Sequence, residues 1–283
     1  MSHPTTSLAG APFASGGLVS AHDSAGTPTS GPADRASLAV YALRLGDDAL
    51  VLAQRLGEWV ASAPQIEEDI ALGNIGLDLL GQARTLLAYA GETEGAGRSE
   101  DDLAYVREER AFVNVQLVEQ PNGDFAVSMA RQLYFSTYQL ALYERLQHST
   151  DATLGGVAEK AVKEVAYHRD HATQWVLRLG DGTDESHRRM QDGLARMWPF
   201  VAELFEADDL VRALATGGVA VDPSTLRAEW DAYVDAVLAE ATLARPTSTW
   251  TARGGRRGIH SQPFGFLLAE LQHLHRSHPG ASW

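Results

Sequence analysis

Four long runs of helical hydrophobic period, over residues 36–62, 64–90, 123–148 and 154–179, constrain this chain more than any other feature. In the first run Leu43, Leu50, Leu52, Leu56 and Trp59 fall mainly on one side, and in the second Ile66, Ile70, Ile75, Leu79, Leu86 and Leu87 are spaced for burial. Breakers separate the runs. Pro64 opens the second, the glycine-rich stretch from Gly91 to Gly97 ends it, and Gln120-Pro121-Asn122-Gly123 makes a turn before the third. After the fourth, Gly180-Asp181-Gly182-Thr183 supplies an αL cap and a new N-cap at Thr183 or Asp184. Further helices are predicted over roughly 101–118, 185–205, 223–241 and 261–276. No strand-like alternation competes, so the predicted class is all-α: a four-helix bundle with additional C-terminal helices packed outside it. One helical domain is expected over 36–283, preceded by a disordered tail over 1–35 whose Gly, Ala, Ser, Thr and Pro follow no period.

Composition narrows the function classes. A chain of 283 residues that is 45% hydrophobic can bury one large core. Its net charge of −14 and pI near 5.1 argue against a general affinity for nucleic acid or anionic membrane, which a basic face would supply. The absence of cysteine removes disulfides, thiolate metal sites and thiol nucleophiles. No run approaches the ~20 apolar residues of a membrane span, and the start of the chain has neither a signal-peptide pattern nor, with Arg35 its only arginine, a mitochondrial presequence. A cytoplasmic location is expected. Neither a Gly-x-Ser-x-Gly elbow nor a phosphate-binding Gly-Lys-Ser/Thr motif occurs.

Four segments carry a family likeness: Leu45-Gly46-Asp47-Asp48-Ala49-Leu50, Gln54-Arg55-Leu56-Gly57-Glu58-Trp59, Asn74-Ile75-Gly76-Leu77-Asp78-Leu79-Leu80-Gly81-Gln82-Ala83-Arg84, and Val118-Glu119-Gln120-Pro121-Asn122-Gly123-Asp124-Phe125-Ala126. Lys163-Glu164-Val165-Ala166-Tyr167-His168, Ala202-Glu203-Leu204-Phe205, Gly258-Ile259-His260 and Leu268-Ala269-Glu270-Leu271-Gln272 add to it. Over most of residues 38–283 the chain resembles the PaaC family, structural subunits of the bacterial ring-1,2-phenylacetyl-CoA epoxidase, also called phenylacetate-CoA oxygenase. The resemblance implies a ferritin-like fold and a place in aerobic phenylacetate degradation. It also implies pairing with a related catalytic subunit, PaaA, which carries the di-iron site and binds phenylacetyl-CoA. The implied reaction of the complex inserts one oxygen atom of dioxygen across the aromatic ring to give the 1,2-epoxide, with electrons from a separate reductase.

In such bundles a helix supplies Glu and, three residues on, His, because that spacing stacks both beside the metal. The resemblance places Leu79 and Gln82 there on the second helix, Val165 and His168 on the fourth, Ala49 beside Asp48 on the first, and a position near Leu133 on the third. It therefore implies no catalytic, cofactor-binding or metal residue in this chain, the di-iron being expected in the partner.

Other polar groups have structural readings first. Asp78, near Gly76 and Gly81, needs a partner such as Arg84 or a backbone donor if buried. Glu164, His168 and His171 share a helical face and read as a hydrogen-bonded cluster in preference to a metal site. Glu270-Leu271-Gln272-His273, with His275, lies outside the long helices, where Leu267, Leu268, Leu271 and Leu274 make amphipathic packing the better explanation. Arg253-Gly254-Gly255-Arg256-Arg257-Gly258, followed by His260, is the densest positive patch; a solvated loop is favoured over contact with a CoA phosphate or an acidic partner. Tyr134, Phe135, Tyr138 and Tyr143 read as core or partner interface. The alternatives are an enzyme in its own right, with an altered metal site around Asp78, Glu164 and His168, and a degenerate bundle pocket that holds an acyl-CoA. By fold-level analogy the first two helices are expected to contribute to a heterodimer.

Overall fold

The computed structural model describes residues 32–281, and over them the chain is helical with no strand. Helix α1 (Pro32–Gly57) pairs with α2 (Ile66–Glu94), and α3 (Phe125–Leu146) pairs with α4 (Ala152–Gly180); contact between α2 and α4 joins the two hairpins into a ferritin-like four-helix bundle. Helices α5 (Asp184–Met197), α6 (Asp209–Thr216), α7 (Arg227–Glu240) and α8 (Gln262–Ser277) pack outside it. None of the helices among the described residues is long and apolar enough to cross a membrane. Residues 32–35 of the expected tail belong to α1, and residues 1–31 lie outside the described residues.

Local chemistry sets most helix ends. Asp124 opens α3 by accepting from Val127 N at 3.0 Å, Asp151 opens α4 by accepting from Leu154 N at 2.9 Å, and Thr183 forms a capping box with Ser186 at the start of α5. Helix α2 starts after Pro64 and does not dissolve at Gly91, as expected, but continues to a left-handed C-cap at Gly95. Gly91 stays inside the helix because the following loop folds back on it, and a Cβ there would run into the Arg98 carbonyl.

Two other expectations are corrected. Residues 101–118 are not one helix: a π turn (Asp102–Val106) and a 3-10 turn (Glu109–Ala111) lead into extended chain. The backbone N–H groups of Val113, Val115 and Gln116 donate to the carboxylates of Asp47, Asp48 and Glu203 at 2.9, 2.8 and 2.8 Å, so tertiary acceptors replace a helical ladder. The predicted helix over 185–205 stops at Met197 and breaks into two 3-10 turns, since Pro199 brings no N–H to continue it.

Every residue of α3 from Ala126 to Tyr143 is buried, which makes it the axis of the molecule. The four aromatics Tyr134, Phe135, Tyr138 and Tyr143 are therefore core. Trp230 of α7 is fully buried beside Tyr134, Trp198 and Phe205, and its indole N–H donates to Tyr134 O at 2.9 Å. Trp230→Ala is expected to lower unfolding stability by about 3–5 kcal/mol in urea titration. A loss under about 1 kcal/mol would mean that α7 unfolds separately from the bundle.

Candidate functional site

The bundle interior at the positions singled out by resemblance is closed by alkyl groups: Ala49, Leu79, Leu133 and Val165 have no exposed surface. Gln82, also buried, has both ends of its amide engaged. Its Oε1 accepts from Gln139 Nε2 of α3 at 3.1 Å, and its Nε2 donates to Glu164 Oε2 of α4 at 3.0 Å. The other Glu164 oxygen lies 3.8 Å from Lys160 Nζ. The glutamine thus links three helices through a neutral group.

Beside this relay a polar seam runs between α2 and α4. His168 Nε2 lies 3.0 Å from Asp78 Oδ2, and His171 Nε2 lies 2.7 Å from Glu68 Oε2. Asp78 therefore pairs with His168, not Arg84, which turns outward to Glu100 at 3.3 Å. His168 is almost fully buried while the Asp78 side chain is partly solvated, so burial lowers the His168 pKa and Asp78 only partly restores it. Among the described residues no three His, Asp or Glu side chains converge as a metal set. Glu270 and His273 are exposed on α8, and His275 stacks on Tyr105.

The deepest charges lie elsewhere. Asp47 receives Arg107 through both oxygens, and Asp48 receives Arg256 Nη1 and Nη2 at 3.0 and 2.7 Å. Glu203 takes Gln116 N and Gly255 N at 2.8 and 2.6 Å. Glu119 takes Asn114 Nδ2 at 2.9 Å, His260 Nδ1 at 2.7 Å and Ser261 N at 2.5 Å. The glycine and arginine run is thus only in part a solvated loop: Arg253, exposed, meets Glu206 at 3.1 Å and Arg257 is exposed with no ion pair among the described residues, but Arg256 turns inward to Asp48. Sequence reasoning missed Asp47, Glu119 and Glu203. The available signal was the Asp47-Asp48 pair set directly before the apolar run from Ala49 to Leu52 on the same predicted helix.

His260 behaves oppositely to His168. Burial pulls its pKa down, but the hydrogen bond and charge of Glu119, with the Phe112 carbonyl at 3.0 Å, raise it overall. Both ring nitrogens face acceptors, which suits the imidazolium. For His168 the folded value lies below the ordinary 6.5, so stability is present above 6.5 and lost as pH falls toward the folded value. For His260 the folded value lies above 6.5, so stability is present below 6.5 and lost as pH rises through the folded value. His168→Gln is expected to flatten the acid limb of unfolding stability against pH, and His260→Gln the limb above 6.5. Unchanged limbs in urea titrations of both variants would refute the assignment.

The family model described as phenylacetic acid catabolic protein, PaaA_PaaC, matches residues 24–283. The chain is also similar to the C subunit of the 1,2-phenylacetyl-CoA epoxidase of Escherichia coli (strain K12), with 51% identity over 246 residues, which cover 87% of this chain and 99% of the relative. The match takes in the bundle, the Asp47-Asp48 pair, the Gln82 relay and the outer helices together. The chain belongs to the PaaA_PaaC family of phenylacetic acid catabolic proteins.

Proposed function

We propose that this chain is the non-catalytic structural subunit of a phenylacetyl-CoA 1,2-epoxidase in aerobic phenylacetate degradation, working in the cytoplasm. It pairs with and supports the di-iron catalytic subunit PaaA, while a separate reductase supplies electrons. The observation that carries this reading is the donor set inside the bundle. A carboxylate-bridged di-iron site needs about four carboxylates and two imidazoles. The corresponding places hold Ala49, Leu79, Gln82 and Val165, with His168 committed to Asp78. These residues do not fit two irons, because alkyl groups coordinate nothing and the neutral Gln82 amide is already used at both ends. An altered metal site around Asp78, Glu164 and His168 has less support, since Glu164 bonds to Gln82 and Lys160 while Asp78 bonds to His168.

A second support is the outer face of α2. Ile66, Ile70, Leu77 and Leu80 are 71%, 59%, 66% and 44% exposed, and Tyr167 of the neighbouring α4 is 50% exposed. Large apolar side chains aligned at helical spacing in an acidic chain mark a surface that another protein covers. Helix α1 has no exposed residue from Tyr41 to Leu56, which narrows the expected pairing surface from the first two helices to α2, with α4 beside it.

Metal analysis after anaerobic reconstitution with ferrous iron tests the first support. The chain alone is expected to retain no stoichiometric iron, with epoxidation appearing only after mixing with the catalytic subunit; about two irons per chain alone would overturn the reading. Leu77→Asp tests the second. It is expected to weaken binding to the catalytic subunit at least about tenfold while leaving the melting temperature unchanged. Wild-type affinity would remove α2 from the interface.

A further inference from the structure

The apolar outer face of α2 borders a charge that its own chain leaves unbalanced. Asp78 follows the exposed Leu77, and it bonds across to His168 of α4, the residue after the half-exposed Tyr167. The two members of the pair differ in exposure. His168 is almost fully buried, whereas the Asp78 side chain keeps 36% of its surface.

Asp78 is also only half bonded. Its Oδ2 lies 3.0 Å from His168 Nε2, while its Oδ1 meets no donor among the described residues. A carboxylate only accepts, so the imidazole supplies the N–H. Burial favours the neutral form of His168, and a neutral donor leaves the charge of the carboxylate uncompensated. The same α2–α4 seam carries two further carboxylates, Glu68 against His171 and Glu164 against Gln82. Of the cations on these helices, Arg84 turns to Glu100, Lys160 lies 3.8 Å from Glu164, and the exposed Lys163 forms no ion pair among the described residues. None of the three reaches Asp78.

A protein that covers Leu77, Leu80 and Tyr167 also takes solvent away from Asp78. A carboxylate stripped of water and left with one neutral donor is costly, whereas a cation arriving with the covering surface satisfies the free oxygen and the charge together. We propose, resting on the pairing surface described above, that the catalytic subunit presents an arginine or lysine side chain to Asp78 Oδ1 at the edge of its apolar contact with α2. The apolar residues supply contact area, and the single charge selects the partner and fixes its register on the helix.

Calorimetric titration of the full chain with the purified catalytic subunit tests this, at a temperature where every variant is folded. Asp78→Asn keeps an oxygen for His168 and removes only the charge. It is expected to bind at least about tenfold more weakly than wild type, with its melting temperature unchanged and with a shallower loss of affinity as salt is raised. Glu144→Gln removes the same charge at an exposed position on α3 and is expected to stay within about twofold of wild type. Wild-type affinity in Asp78→Asn, an equal loss in Glu144→Gln, or an unchanged salt dependence in Asp78→Asn would each overturn the proposal. Leu77→Asp separates the two levels. If it weakens binding while Asp78→Asn does not, the α2 surface stands and the cation falls; if neither weakens binding, the surface itself falls.

Discussion

Two adjacent carboxylates on the first helix organise much of what surrounds them. Asp47 and Asp48 of α1 are 0% and 3% exposed, followed directly by the buried apolar run Ala49, Leu50, Val51 and Leu52. Buried ionised carboxylates are tolerable only when each is paired and its lone pairs are bonded. Arg107 and Val113 N serve Asp47, while Arg256 and Val115 N serve Asp48. One pair of residues thus fixes the path of the chain after the π turn and draws a distant loop onto the bundle. Removing one partner from such a pair costs about 3–5 kcal/mol, because the other charge stays buried.

The same demand explains where the sequence was legible and where it was not. The cores of α1, α2, α3 and α4 follow from their 3.6-residue period, and Asp124, Asp151 and Thr183 mark starts that the backbone then uses. Residues 101–118 carry helical composition too, but their N–H groups are claimed by carboxylates from α1 and by Glu203, and no local pattern encodes partners so far along the chain. The arginine run misled for a related reason: charge suggests solvent, yet Arg256 is soluble in the core because Asp48 waits there. The short helix α6 was too brief to rise above its surroundings.

At the site, identity was legible and pairing was not. The apolar residues at Leu79 and Val165 follow from matching segments, and their burial is the ordinary fate of such residues on an inward face. The partner of Asp78 depends on how α4 registers against α2. That register brings His168, ninety residues away, within 3.0 Å, while Arg84, on the same helix, reaches the loop instead. The two bonds of Gln82 likewise need α3 and α4 at fixed heights.

A bundle with inward carboxylates depends on the charge of its metal, since several carboxylates in one dry cavity repel one another and cannot all stay ionised without cations. Leu79, Val165 and Ala49 fill the space by packing, and the one polar element there, the Gln139–Gln82–Glu164 relay, crosses the bundle by hydrogen bonds and ends at the partly exposed Glu164. The fully buried carboxylates lie away from this level: Asp47, Asp48, Glu119 and Glu203 anchor loops. The outer face of α2 is a different case: Leu77 and Leu80 contribute little to this core, and their exposure is a cost to the isolated chain that burial against another protein removes.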